Sequence, residues 1–102
     1  MKKERKKNIG IRKALKGAIT VRVIDYVNGI EVIQNITAVS IISNGYTLLI
    51  MEDYVPSQGR IEGKMSFLTN EEEYAYENVK GSYKYQDNEF TIFIEENTES
   101  EG

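Results

Sequence analysis

Ala18-Ile19-Thr20-Val21-Arg22-Val23-Ile24-Asp25-Tyr26-Val27-Asn28-Gly29 alternates cleanly before it turns. Ile19, Val21 and Val23 fall on one side and Thr20, Arg22, Ile24 and Tyr26 on the other, the two-residue period of a half-buried strand. Asn28-Gly29 then reads as a type I′ hairpin turn, because both central residues of that turn need positive φ and Asn and Gly tolerate it best. Residues 30–43 follow as a long β-branched run, two strands or one bent strand, and Asn44-Gly45 turns it into residues 46–51. These near-continuous apolar runs suggest strands covered on both faces, as where one sheet packs on another or a partner covers the outside.

Outward from this region the pattern continues. Residues 52–60 hold acidic side chains, the only proline, Ser57 and Gly59, and read as a loop. Strand character resumes over residues 61–69, then 73–79 and 81–85, with an acidic turn at 70–73. An Asp87-Asn88 turn leads to a last strand at 89–95. No stretch sustains a helical period and no repeat has a fixed length. Short strands separated by turns every eight to twelve residues predict an all-β fold, a small antiparallel β-sandwich or barrel-like domain of about eight strands. The expected organisation is a basic N-terminal arm at residues 1–17, one domain at 18–96, and a disordered acidic tail at 97–102.

With 102 residues, 40% of them hydrophobic, the chain accommodates one core. It contains neither cysteine nor histidine, which removes disulfides, thiolate nucleophiles, imidazole bases and the usual transition-metal ligands. No apolar run approaches the length of a membrane span, and residues 1–7 lack the hydrophobic segment of a secretory signal, so a cytoplasmic location is expected. Charge is unevenly spread. Lys2, Lys3, Arg5, Lys6, Lys7, Arg12, Lys13 and Lys16 oppose Glu4 alone in the first 17 residues, a balance of +7. The other 85 residues hold five basic and fifteen acidic side chains, −10, giving the overall −3. Such an arm is either a solvated chain end or a docking segment for RNA, anionic lipid or an acidic protein face.

Four groups of residues are candidates for function. Glu52 and Asp53 beside Tyr54 and Pro56 suit a partner-recognition loop better than catalysis, since adjacent strand residues point to opposite faces and two neighbouring carboxylates do not share a substrate. Glu71, Glu72 and Glu73 lack the alternating oxygen ligands and glycine of a calcium loop. Tyr74, Tyr76, Tyr83 and Tyr85 flank residues 78–81. If those form a hairpin loop, the four rings make one cross-strand patch suited to a protein face or to stacked bases; if Gly81 marks a bulge in a continuing strand, the patch splits. Serine and threonine hydroxyls have no activating partner of a known spacing. No cofactor is expected.

The order of these features resembles the N-terminal β-sandwich domain of the epsilon subunit of F-type ATP synthases. The resemblance runs through the strand from Ile19 to the Asn28-Gly29 turn, residues 35–41 into Asn44-Gly45, residues 48–56 ending in the Pro56 loop, a return strand at 63–67, the glycine-marked strand at 79–83 and the terminal strand at 88–95. The family's proline loop carries glycine, Pro-Gly-His and a further proline, where this chain has Leu49, Glu52, Asp53 and Tyr54 and keeps Pro56. No counterpart of the helical hairpin that binds nucleotide in some members is expected after the last strand, so ATP binding is not carried over. The resemblance implies a sandwich whose proline loop and adjacent edge meet other proteins. Together these readings give a non-enzymatic module that binds a protein partner or itself, with a nucleic-acid module using the basic arm and the tyrosines as the alternative.

Overall fold

The computed structural model describes residues 17–97, and among them there is no helix. Seven strands form: β1 Ile19–Asp25, β2 Gly29–Ile36, β3 Ala38–Ser43, β4 Tyr46–Met51, β5 Ser57–Leu68, β6 Glu73–Gln86 and β7 Glu89–Asn97. They join one sheet in the order β2-β1-β7-β6-β5-β3-β4. Every pairing is antiparallel except β1 with β7, the first and last strands, which run parallel.

A flat single sheet has no second layer to bury its apolar face against. Here Ile19, Val21, Ile36, Val39, Ile41, Ile50, Ile61, Met65, Phe67, Tyr85, Phe90 and Ile92 are nevertheless fully enclosed. The topology supplies the missing layer. β2 begins the strand order and β3 stands near its far end, yet only Thr37 separates them in the chain. That continuous stretch pairs with β1 through its first half and with β5 through its second, so the sheet rolls up on itself. Thr37 marks the crossing, donating from both its N–H (2.8 Å) and its hydroxyl (3.0 Å) to the carbonyl of Leu68. The sandwich-or-barrel expectation is therefore met by one rolled sheet with the core inside.

Inside, Phe67 lies edge-on to Phe90 at 5.9 Å and Tyr83 stacks on Phe90 at 5.5 Å. These ring geometries add roughly 0.5–1.5 kcal/mol each beyond area burial. The alternation in β1 is realised as read, with Ile19, Val21 and Val23 in the core.

Three local expectations are corrected. The first turn is not type I′. Asn28 does not take positive φ, the loop spans residues 26–28, and Gly29 at φ 90° completes it. The Asp25 carboxylate dictates this longer turn by accepting from the N–H groups of Val27 (2.8 Å) and Asn28 (3.3 Å). Those bonds, with one from the Asn28 amide, also hold its pKa below the usual carboxylate value. The two-residue I′ turn occurs instead at Asp87-Asn88, where φ is 52° and 59°.

The second correction concerns strand number. Residues 57–60, read as loop, open β5, and residues 73–86 are one strand rather than two, giving seven strands in place of about eight. Asn78 takes φ 55° at a bulge in which Glu77 and Asn78 oppose Lys64 alone. Third, no second sheet among the described residues packs on the outer side of the residue 30–43 run: Ile30, Val32 and Ile42 are exposed, which leaves the reading that a partner covers the outside.

Candidate functional site

The loop at residues 52–56 leaves the end of β4 in a tight turn, with the Tyr54 N–H bonded to the Met51 carbonyl at 3.1 Å and Asp53 at φ 63°. Asn88 clamps it from the β6–β7 turn. Its side-chain oxygen accepts from the Asp53 N–H (2.8 Å) and the Tyr85 hydroxyl (2.7 Å), and its amide donates to the Asp53 carboxylate (3.1 Å). Asn88 also accepts at its carbonyl from the Thr20 N–H, 3.0 Å, which joins the start of β1 to the same knot. The Tyr54 ring meets Tyr85 edge-on at 6.4 Å and caps the open end of the core. Asp53 is thus engaged in fastening the loop, while Glu52, Val55 and Pro56 are exposed.

Beside this loop, strand register assembles an outer face. Val39 and Ile41 of β3 point inward, opposite Ile50 and Leu48 of β4 and Phe67 and Met65 of β5. Their neighbours point out: Thr47, Leu49 and Met51 on β4, Ala38, Ser40 and Ile42 on β3, Lys64, Ser66 and Leu68 on β5. Leu49 and Met51 are each 51% exposed and Ile42 52%, and Val55 at 65% extends the strip past the strand end. Its charged boundary is Lys64 with Glu77, 4.0 Å apart. β4 pairs with β3 on one side and with no described strand on the other.

The four tyrosines do not form an outward patch, because β6 continues through the bulge and all four face inward. Tyr85 is fully buried and Tyr83 nearly so; burial, followed by the nearby Tyr46, pushes the Tyr83 pKa up to about 12. Tyr76 packs on Phe67 at 5.6 Å and donates to Glu31 at 3.4 Å across the mouth of the roll. Its pKa is raised by burial first and by Glu31 second, and that of Tyr74 by its hydrogen bond to Glu72. Only Tyr74 keeps substantial exposure, at 38%.

Glu71 and Glu72 belong to a turn in which both N–H groups donate to the Thr69 hydroxyl. Among the described residues no group of carboxylates is arranged to hold a metal ion, and no helix is long and apolar enough to cross a membrane. The basic side chains from Lys2 to Lys16 lie outside the described residues.

The sequence reading allowed a covered outer face on the apolar runs of residues 30–51 but did not single out the strip of Ile42, Leu49 and Met51, nor a second one at the β1–β2 hairpin tip. There Tyr26 and Val27 at the hairpin tip are 90% and 83% exposed, and Ile30, Val32 and Phe93 are open beside them. The signal was the apolar excess of residues 30–51, more than one inward-facing row can hold; Tyr26, Val27 and Phe93 lie outside that stretch. Compared with models of known protein families and with curated proteins, the chain matches none.

Proposed function

We propose that this chain is a non-catalytic protein-interaction module of the cytoplasm, docking a partner on the outer face of β4 and β3 and on the adjoining loop at residues 52–56. The observation that carries the reading is the uncharged strip of Ile42, Leu49, Met51 and Val55 along a strand with an unpaired edge. An exposed apolar face of this kind is characteristic of a binding surface, and its core of aliphatic side chains with Glu52 and Lys64 at the rim follows the usual anatomy of an interface. The absence of histidine and cysteine supports a role without chemistry, and the absence of cysteine suits a reducing compartment. The resemblance to the epsilon-subunit sandwich extends the proposal to shape, and makes a synthase stalk and ring the first partners to check.

Tyr54 is a poor probe because it caps the core. Leu49→Lys and Met51→Lys change only exposed side chains. Affinity capture from native lysate with the wild-type chain is expected to retain a protein partner, and the double variant is expected to lose it while keeping an unchanged far-ultraviolet spectrum. Equal capture by both chains would overturn the assignment of this face.

A further inference from the structure

A different surface, at the far end of β1 from the Asn88 knot, points to self-association. β1 runs seven residues, Ile19–Asp25, roughly 20 Å, from the end where Thr20 joins the knot to the hairpin tip. On its outer side Ile24 lies between Ile30 of β2 and Phe93 of β7. The row Ile30-Ile24-Phe93 therefore crosses three strands without a polar side chain. Val32 adjoins it one outward position along β2, and Tyr26 and Val27 extend it over the tip.

We propose that this face is the contact between two copies of the chain, outer face on outer face about a two-fold axis. Three observations favour a second copy over another occupant. The first is area. Taking about 200 Å² for an aromatic side chain and about 100 Å² for Val or Ile, the exposed fractions of Tyr26 (90%), Val27 (83%), Ile30 (68%), Val32 (52%) and Phe93 (48%) offer at most roughly 500 Å² per copy. Two such faces bury up to about 1,000 Å² in total, the size of a weak, concentration-dependent contact between copies.

The second observation is charge. The residues after the first 17 carry −10, so two bodies repel over most of their surface. The apolar row itself carries no charge, and two arginines on the same side of the sheet are paired within the chain, Arg22 with Glu89 at 3.0 Å and Arg60 with Glu95 at 2.9 Å, so this is where like copies approach at least cost.

The third is self-complementarity. A two-fold contact requires one patch to fit itself, and a patch of aliphatic and aromatic side chains meets its copy without opposing like charges. β2 borders the patch with an outer edge unpaired among the described residues, and Glu31 is its only charged side chain.

The test is sedimentation velocity of the full chain over a range of concentrations, at moderate salt. The wild type is expected to pass from one copy to two as concentration rises. Ile30→Asp and Phe93→Asp, each at an exposed position, are expected to weaken association at least about tenfold, the effect of losing one interface anchor, with unchanged circular dichroism. Leu49→Lys is expected to associate as the wild type does, which separates this surface from the partner face on β4. A wild type that stays monomeric at the highest concentration overturns the proposal, and so does association that the Ile30 and Phe93 variants leave intact. Growth beyond two copies overturns the two-fold arrangement.

Discussion

Asn88 concentrates more consequences than any other described side chain. It is the second residue of the Asp87-Asn88 turn, where φ of 59° suits asparagine, and its amide joins the β6–β7 turn to the end of β4. Asn88→Ala removes the 2.7 Å acceptor of the Tyr85 hydroxyl, leaving that group the longer 3.3 Å bond to the Met51 carbonyl, and orphans the Asp53 N–H. A part-buried donor left weakly paired costs about 1–3 kcal/mol, and the left-handed backbone adds to that. Urea denaturation is expected to report a loss of about 2–3 kcal/mol for Asn88→Ala. Glu52→Ala, on the same loop but solvent-exposed, is expected to stay within about 0.5 kcal/mol of wild type. This linkage was not legible in the sequence: Asp87-Asn88 announces a turn, but a bond to a residue 35 positions away leaves no local trace.

At the scale of the strand, β6 shows where reading stops and why. Asn78 and Gly81, three positions apart, serve equally as the ends of a hairpin loop or as a bulge flanked by a close approach. Only the partner decides between them. β5 is long enough to pair with β6 from Leu68 back to Ser57, and that length was hidden because Ser57 and Gly59 have turn-forming composition. Gly59 is there because the Tyr83 ring lies over it, 3.1 Å from where a Cβ would stand. Gly81 answers a harder constraint. A Cβ there would lie 2.2 Å from the Phe93 carbonyl oxygen, in the middle of the β6–β7 pairing and beside its register shift. Backbone does not yield as a flexible side chain does, so Gly81→Ala is expected to cost more than about 3 kcal/mol. The check is a melting curve, in which the same change at Lys84, an exposed position of the same strand, serves as the control. The alternation of β1 was legible, since Ile19, Val21 and Val23 are its inward side chains. The apolar runs of β2, β3 and β4 marked strands but not their faces: Ile42, Leu49 and Met51 point out where Ile41 and Ile50 point in, and nothing local distinguishes Val32 exposed from Val39 buried.

For the whole molecule, the rolled sheet makes the interior tyrosines a shared property of the fold. Burial raises the pKa of Tyr76, Tyr83 and Tyr85, so each holds its proton more firmly folded than unfolded. The native state therefore binds more protons once the unfolded phenols begin to ionise near pH 10, and stability falls from there upward. For Tyr83 the loss is complete as pH passes about 12. Stability measured by urea at successive alkaline pH values is expected to decline from about pH 10, and Tyr83→Phe, which has no proton to lose, is expected to flatten that decline. A stability that stays level to pH 12 would contradict the enclosed setting of these rings. Fold class was legible at this scale because composition and turns alone force an all-β chain. The surfaces were not, because exposure is a property of the closed roll and the sequence carries no record of which way it curls.

The parallel pairing of β1 with β7 reaches back to how the molecule is made. β7 lies between β1 and β6, so the β1–β2 hairpin has no further neighbour to join until β7 has followed it out of the exit tunnel. At translation speeds of about 5–20 residues per second, Val21 and Val23 wait several seconds for Phe90 and Ile92, the β7 residues beside them. Whatever shields nascent apolar strands in the cell has its work to do in that interval.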